Sequence, residues 1–134
     1  MKVAGIRFSC AIAGALLAGG SAFAHHSFAM FDKDKEVTLV GEVKDFQWTN
    51  PHVWLQLVTQ DEAGQPVEWG IEMASVNILA REGWKKTSFK PGDKVTVVIH
   101  PLRDGSHGGA MIRATTSAGI TIPSKGESAN SQAQ

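Results

Sequence analysis

The chain holds one cysteine, Cys10, in 134 residues, and it sits in a stretch whose pattern is that of a removable leader. Without that leader there is no thiol left, so disulfides and thiol chemistry are excluded. Net charge is also missing, since 13 Lys and Arg balance 13 Asp and Glu. A nucleic-acid-binding domain needs a basic stripe, which excludes nucleic acid as a partner. Beyond the leader no apolar run approaches the roughly 20 residues of a membrane helix. There is no internal repeat, nucleophile motif, His-Glu-x-x-His pair or phosphate loop. Nothing therefore points to an enzyme, and no catalytic residue is assigned.

What is present begins at the N-terminus. Lys2 and Arg7 precede an apolar stretch from Phe8 to about Ala18, followed by Gly19, Gly20, Ser21 and the small-x-small triplet Ala22-Phe23-Ala24. This order predicts a signal peptide, residues 1–24, cleaved after Ala24, and a periplasmic protein. The apolar part is too short to span a bilayer comfortably, and no Leu-x-x-Cys pattern precedes Cys10, so no membrane insertion or lipid anchor is expected. Removing Lys2 and Arg7 leaves 11 basic residues against 13 acidic ones, a formal charge of −2. About 110 residues suffice for a single core.

Residues 25–36 read as an N-terminal arm, with Phe28, Met30 and Phe31 available to pin it to a core. From Val37 the pattern has period 2: Val37, Leu39, Gly41 and Val43 share a face, and the apolar phase then slips to Phe46 and Trp48. The slip predicts a bulge near Lys44 and Asp45, and Gly41 predicts a tight bend. Thr49-Asn50-Pro51 breaks the run. A second strand starts at about His52, with Val53, Leu55 and Leu57 inward and His52, Trp54 and Gln56 outward. After a turn at Asp61–Pro66, a third strand places Val67, Trp69, Ile71 and Met73 inward, with Glu68 and Glu72 on the wet face. Ser75 reads as the N-cap of a two-turn helix that Gly83 stops. Val95, Val97 and Ile99 mark a fourth strand, and Ala110 to Thr116 a fifth. Strand, strand, strand, short helix, strand, strand is the order of a mostly β, five-stranded OB-like Greek-key barrel, residues 37–117. Residues 118–134 read as a polar, disordered tail.

Four segments stand out in sequence order: His25-His26-Ser27-Phe28, Trp48-Thr49-Asn50-Pro51-His52-Val53-Trp54, Ala80-Arg81-Glu82-Gly83-Trp84 and Phe89-Lys90-Pro91-Gly92-Asp93. Together they resemble a family of small secreted bacterial proteins classed as a domain of unknown function. The resemblance spans essentially the whole processed chain. It implies an exported location and a small-barrel fold, and no activity.

Cleavage after Ala24 would give His25 a free α-amine beside its imidazole. Amine nitrogen and ring nitrogen can close a six-membered chelate, and a further imidazole makes a three-nitrogen set suited to Cu(II). This start is similar to that of histidine-brace copper proteins. It departs from the amino-terminal copper/nickel motif, which needs histidine third, whereas here His25 and His26 come first and second. The bland reading is a solvated, idle His-His pair. His52 and His107 are the candidate ligands from the two loops that flank the binding face of such barrels, while His100 reads as structural. Trp54 and Asn50 are candidate ligand-binding residues. Three functions compete: an exported protein binding copper or another transition metal, a metal-free barrel binding a small ligand or an envelope protein through its second-strand face, and an enzyme, which the absence of motifs disfavours. The sequence fixes no oligomeric state.

Overall fold

In the computed structural model, residues 28–123 are described. Strand β1 (Val37–Gln47) buries Leu39 and Val43 and exposes Thr38, Val40 and Glu42, as its alternation demands. Its pairing with β2 (Trp54–Gln60) shifts register between Val43 and Asp45, so Lys44 is the extra residue of a bulge and the inward phase passes from Val43 to Phe46. Gly41 lies where the bent strand crosses its neighbour. A Cβ there would meet the Val58 carbonyl oxygen, so the bend admits glycine alone.

Strand β3 (Pro66–Glu72) returns antiparallel to β2. The turn between them is held by Asp61, whose Oδ1 accepts the amides of Ala63 at 2.9 Å and Gln65 at 2.8 Å. Helix α1 (Val76–Arg81) follows, then β4 (Lys94–Pro101), β5 (Gly108–Thr116) and β6 (Thr121–Pro123). β1 also pairs with β4, and β4 with β5. Gly70, Ile71 and Glu72 then pair in parallel with Gly108, Gly109 and Ala110, which closes the five strands into a barrel. The fold is the expected OB-like barrel with one short helix between β3 and β4. The closure depends on Gly109: a Cβ there would stand 2.5 Å from the His100 carbonyl oxygen and 2.7 Å from Ile99 Cδ1.

One expectation needs correction. Residues 118–123 fall in the stretch read as a disordered tail, yet Thr116 to Ile120 form a tight turn and Thr121–Pro123 pair with β5. The reason is geometric, since β5 runs on past the end of β3 and leaves the edge at Arg113–Thr115 open for another strand. The rest of that stretch, 124–134, lies outside the described residues.

The core takes Val43, Leu55, Leu57, Ile71, Val97 and Ile99 from the strands, with Leu79 of α1, Trp84 and Phe89 closing one end. Each fully buried aliphatic side chain is worth about 1.5–3 kcal/mol, so this cluster outweighs any surface contact described below. Trp84 packs edge-on against Phe89 at 5.4 Å, and Phe89 against Phe46 at 5.5 Å. Ser75 occupies the N-cap position but makes no side-chain bond. Asn50 supplies the cap instead, its Oδ1 accepting the Val76 amide at 3.2 Å.

The arm is fastened as predicted through Phe31, which is buried and bridges to Leu102. Asp32 donates its amide to the Pro101 carbonyl at 2.8 Å, and Arg103 donates its amide to Met30 at 2.9 Å and its Nε to Ala29 at 3.1 Å. Met30 stays partly exposed. Among the described residues no helix is long and apolar enough to cross a membrane.

Candidate functional site

The outer face of β2 and β3 collects the side chains that the inner alternation leaves over. In register, Trp54 stands opposite Glu72, Gln56 opposite Gly70 and Val58 opposite Glu68. Ala110 of β5 lies beside Glu72 on the other flank. Gly70 leaves a gap in this face: the place a Cβ would take is 3.9 Å from Trp54 Cζ3 and 3.7 Å from Gln56 Oε1. Trp54 is half-buried there, outside the core as its phase predicts.

His52 lies just before β2 and is fixed by two acceptors. Its Nδ1 is 2.7 Å from Glu72 Oε1 and 3.1 Å from the Met73 carbonyl oxygen. Both partners only accept, so Nδ1 carries the hydrogen, and in the neutral ring the lone pair falls to Nε2. The backbone positions the ring: Val53 donates its amide to Ala74 and accepts from the Met73 amide, clamping the start of β2 to the end of β3. The His52 side chain is 34 % exposed while that of Glu72 is 9 % exposed, so the oriented imidazole reaches solvent and its carboxylate does not.

Glu72 is the residue that the alternation misjudged. It lies on the outer face as expected, but it is buried. Glu68, read the same way, is indeed exposed and pairs with Lys44 at 2.6 Å. The difference is cross-strand cover: a wide indole stands opposite Glu72, and the His52 Nδ1 is within hydrogen-bond reach of its carboxylate. A signal was available in the sequence, because His52, Trp54 and Glu72 share one outer face of a predicted hairpin, but register decides which of the two glutamates meets them.

His107, in the β4–β5 loop, meets β3 at another point. Its ring contacts Trp69 at a centroid separation of 5.0 Å, and its carbonyl oxygen accepts the Gly70 amide at 3.1 Å. Trp69 packs against the core only in part, and its Nε1 donates to Thr59 Oγ1 at 3.2 Å. His52 thus engages Glu72 and Met73 and His107 engages Trp69 and Gly70, so they meet β3 at different points. His100 is structural, with Nδ1 donating to the Lys35 carbonyl oxygen at 2.9 Å. Asn50 is occupied by the helix cap. His25 and His26 lie outside the described residues. Among the described residues no three His, Cys, Asp or Glu side chains converge as a metal cluster would need.

Two carboxyls, the largely covered Asp32 of the arm and the exposed Asp104 of the β4–β5 loop, are held below the usual carboxylate range. For Asp32 the main cause is the hydrogen bond from Lys35, with Arg103 adding its charge. For Asp104 it is the hydrogen bond from the Ser106 hydroxyl, then the Ser106 amide. The Asp104–Ser106 bonds lie in the loop that carries His107.

Fold and site together define a small OB-like barrel with an N-terminal arm docked beside its β4–β5 loop and a carboxylate-oriented histidine at the mouth of β2. A family model described as a family of unknown function (DUF6152) matches residues 14–112, and the chain belongs to that family. Comparison with curated proteins found no match. Comparison with solved structures found none either.

Proposed function

We propose that this is an exported, periplasmic binding protein that captures copper, or another transition metal, through a mature N-terminal His25. His52 supplies the barrel's imidazole, and His26 or His107 completes the set. The observation that carries this reading is the His52–Glu72 pair. Metal-binding histidines generally donate the other ring hydrogen to a carboxylate or carbonyl, which fixes the tautomer and raises ligand basicity. His52 has both kinds of acceptor on Nδ1, which leaves Nε2 free of them on a side chain that is part exposed.

The arm supports it as well. Ala29 and Met30 are tied to Arg103, at the base of the loop that carries His107. His25 is four residues before Ala29, a span of at most about 14 Å when extended. Amine and imidazole nitrogens favour Cu(II), near the top of the divalent order, and the amine must shed its proton as metal enters. The protein is proposed as a binder, with no reaction assigned to it.

The test compares the chain beginning at His25 with the same chain bearing one extra residue before it. Cu(II) affinity is read by competition with a chelator and nitrogen ligation by electron paramagnetic resonance. Masking the terminus should abolish tight binding, and His52→Gln should remove one imidazole from the spectrum. Equal affinity with the terminus masked overturns the reading. In that case the metal-free alternative gains, a module holding a small ligand or an envelope protein on the β2–β3 face, which Trp54 beside the gap at Gly70 favours. Mass spectrometry of periplasmic protein checks cleavage after Ala24.

A further inference from the structure

The segment from the end of α1 to the start of β4 contains two of the four motifs picked out in the sequence, and the metal reading uses neither. Residues 81–90 hold Arg81, Lys85, Lys86 and Lys90 against one acid, Glu82. All four cations are exposed, and among the described residues none of them is ion-paired. Lys35, Lys44, Lys94 and Arg103, by contrast, each face a carboxylate.

The segment is also built to hold that shape. Trp84 and Phe89 are buried on either side of the Lys85–Ser88 turn and stack edge-on at 5.4 Å. Across the turn, Ser88 donates its amide to the Lys85 carbonyl oxygen at 2.8 Å, while its Oγ accepts the Lys85 amide at 2.8 Å. Asp93 Oδ2 accepts the Lys90 amide at 3.0 Å. The two aromatics thus face the core and the lysines face outward. A chain from His25 onward carries 11 basic and 13 acidic residues, and these ten residues take four of the former and one of the latter. Counting Asp93 as well, whose carboxylate holds the Lys90 amide, the patch is +2 on a body of −4, an asymmetry in a protein with almost no net charge.

We infer that this turn adsorbs the protein to an anionic lipid surface through headgroup phosphates. A protein partner is disfavoured by composition, because interface centres are rich in aromatics and poor in lysine, and here the aromatics are withdrawn into the core. A bilayer asks only for several cations on a projecting surface, each worth about a fivefold gain in partitioning. With no exposed apolar side chain between residues 81 and 90, contact stays at the headgroups. This inference is independent of the metal reading.

The experiment uses the chain beginning at His25, which contains the whole described barrel and omits the apolar leader that would itself bind lipid. Co-sedimentation with phosphatidylglycerol/phosphatidylcholine vesicles should show binding that weakens with salt and is absent from pure phosphatidylcholine. Lys85→Gln with Lys86→Gln should lower it about 20-fold at unchanged melting temperature, whereas Lys35→Gln with Lys94→Gln, the same charge change elsewhere, should lower it far less. Equal losses in both pairs, or no vesicle binding, overturn the inference. So does retention on polyglutamate alone, which would mean an acidic protein partner. Inorganic phosphate that displaces the protein better than chloride of equal ionic strength overturns it too, as a free-phosphate site.

Discussion

Glu72 is a buried residue at the end of β3, and His52 is the side chain that reaches its carboxylate, Nδ1 to Oε1 at 2.7 Å. A carboxylate taken out of water is costly unless its oxygens are satisfied, so this pair must hold together for the outer face to close. What it leaves over is the second ring nitrogen, on a side chain that reaches solvent.

Glu72→Gln keeps the size and one acceptor oxygen but removes the charge. Copper affinity should fall 10- to 100-fold, the usual cost of losing a ligand's supporting carboxylate. Nitrogen-15 spectra in alkaline buffer should show the neutral His52 ring with its hydrogen on Nδ1, a preference weakened in the variant. An Nε2-protonated ring in the unaltered protein would contradict the assignment.

Asn50→Ala should cost about 1 kcal/mol in urea denaturation, because it strips the first amide of α1 of its acceptor. Copper affinity should not change. The same substitution with no effect on stability would mean that water replaces the cap at no cost.

Gly109→Ala should destabilise the barrel by about 1–3 kcal/mol, since its methyl meets the His100 carbonyl and the Ile99 side chain with little room to yield. Chemical denaturation measures it. Gly105→Ala, where no atom lies within 4 Å, tests a different penalty, the strain of φ +79° alone.

How much of this was legible follows from the range of each interaction. Alternation between Val37 and Val43 locates β1, and the phase slip before Phe46 locates its bulge, because both are consequences of a two-residue period. The helix and its stop at Gly83 are local as well. The closing pair Gly70–Gly108 joins residues far apart in sequence, and no period announces it. β6 is three residues long and is created by an open stretch of β5 rather than by its own pattern. Asn50 looks like a loop residue until α1 is placed 26 positions later. His52 and Trp54 could be assigned a face, but the burial of Glu72 depended on which residue stood across the ladder.

The bridge between Phe31 and Leu102 has a last consequence. It gives the arm a fixed origin, and because Ala29 and Met30 are also bonded to Arg103, His25 lies at most about 14 Å from Ala29. Over such a radius a tethered group meets its own barrel at an effective concentration in the millimolar range. An ion caught by the terminus would encounter this molecule's histidines far more often than a neighbour's, so capture would be a private event rather than a crosslink between copies.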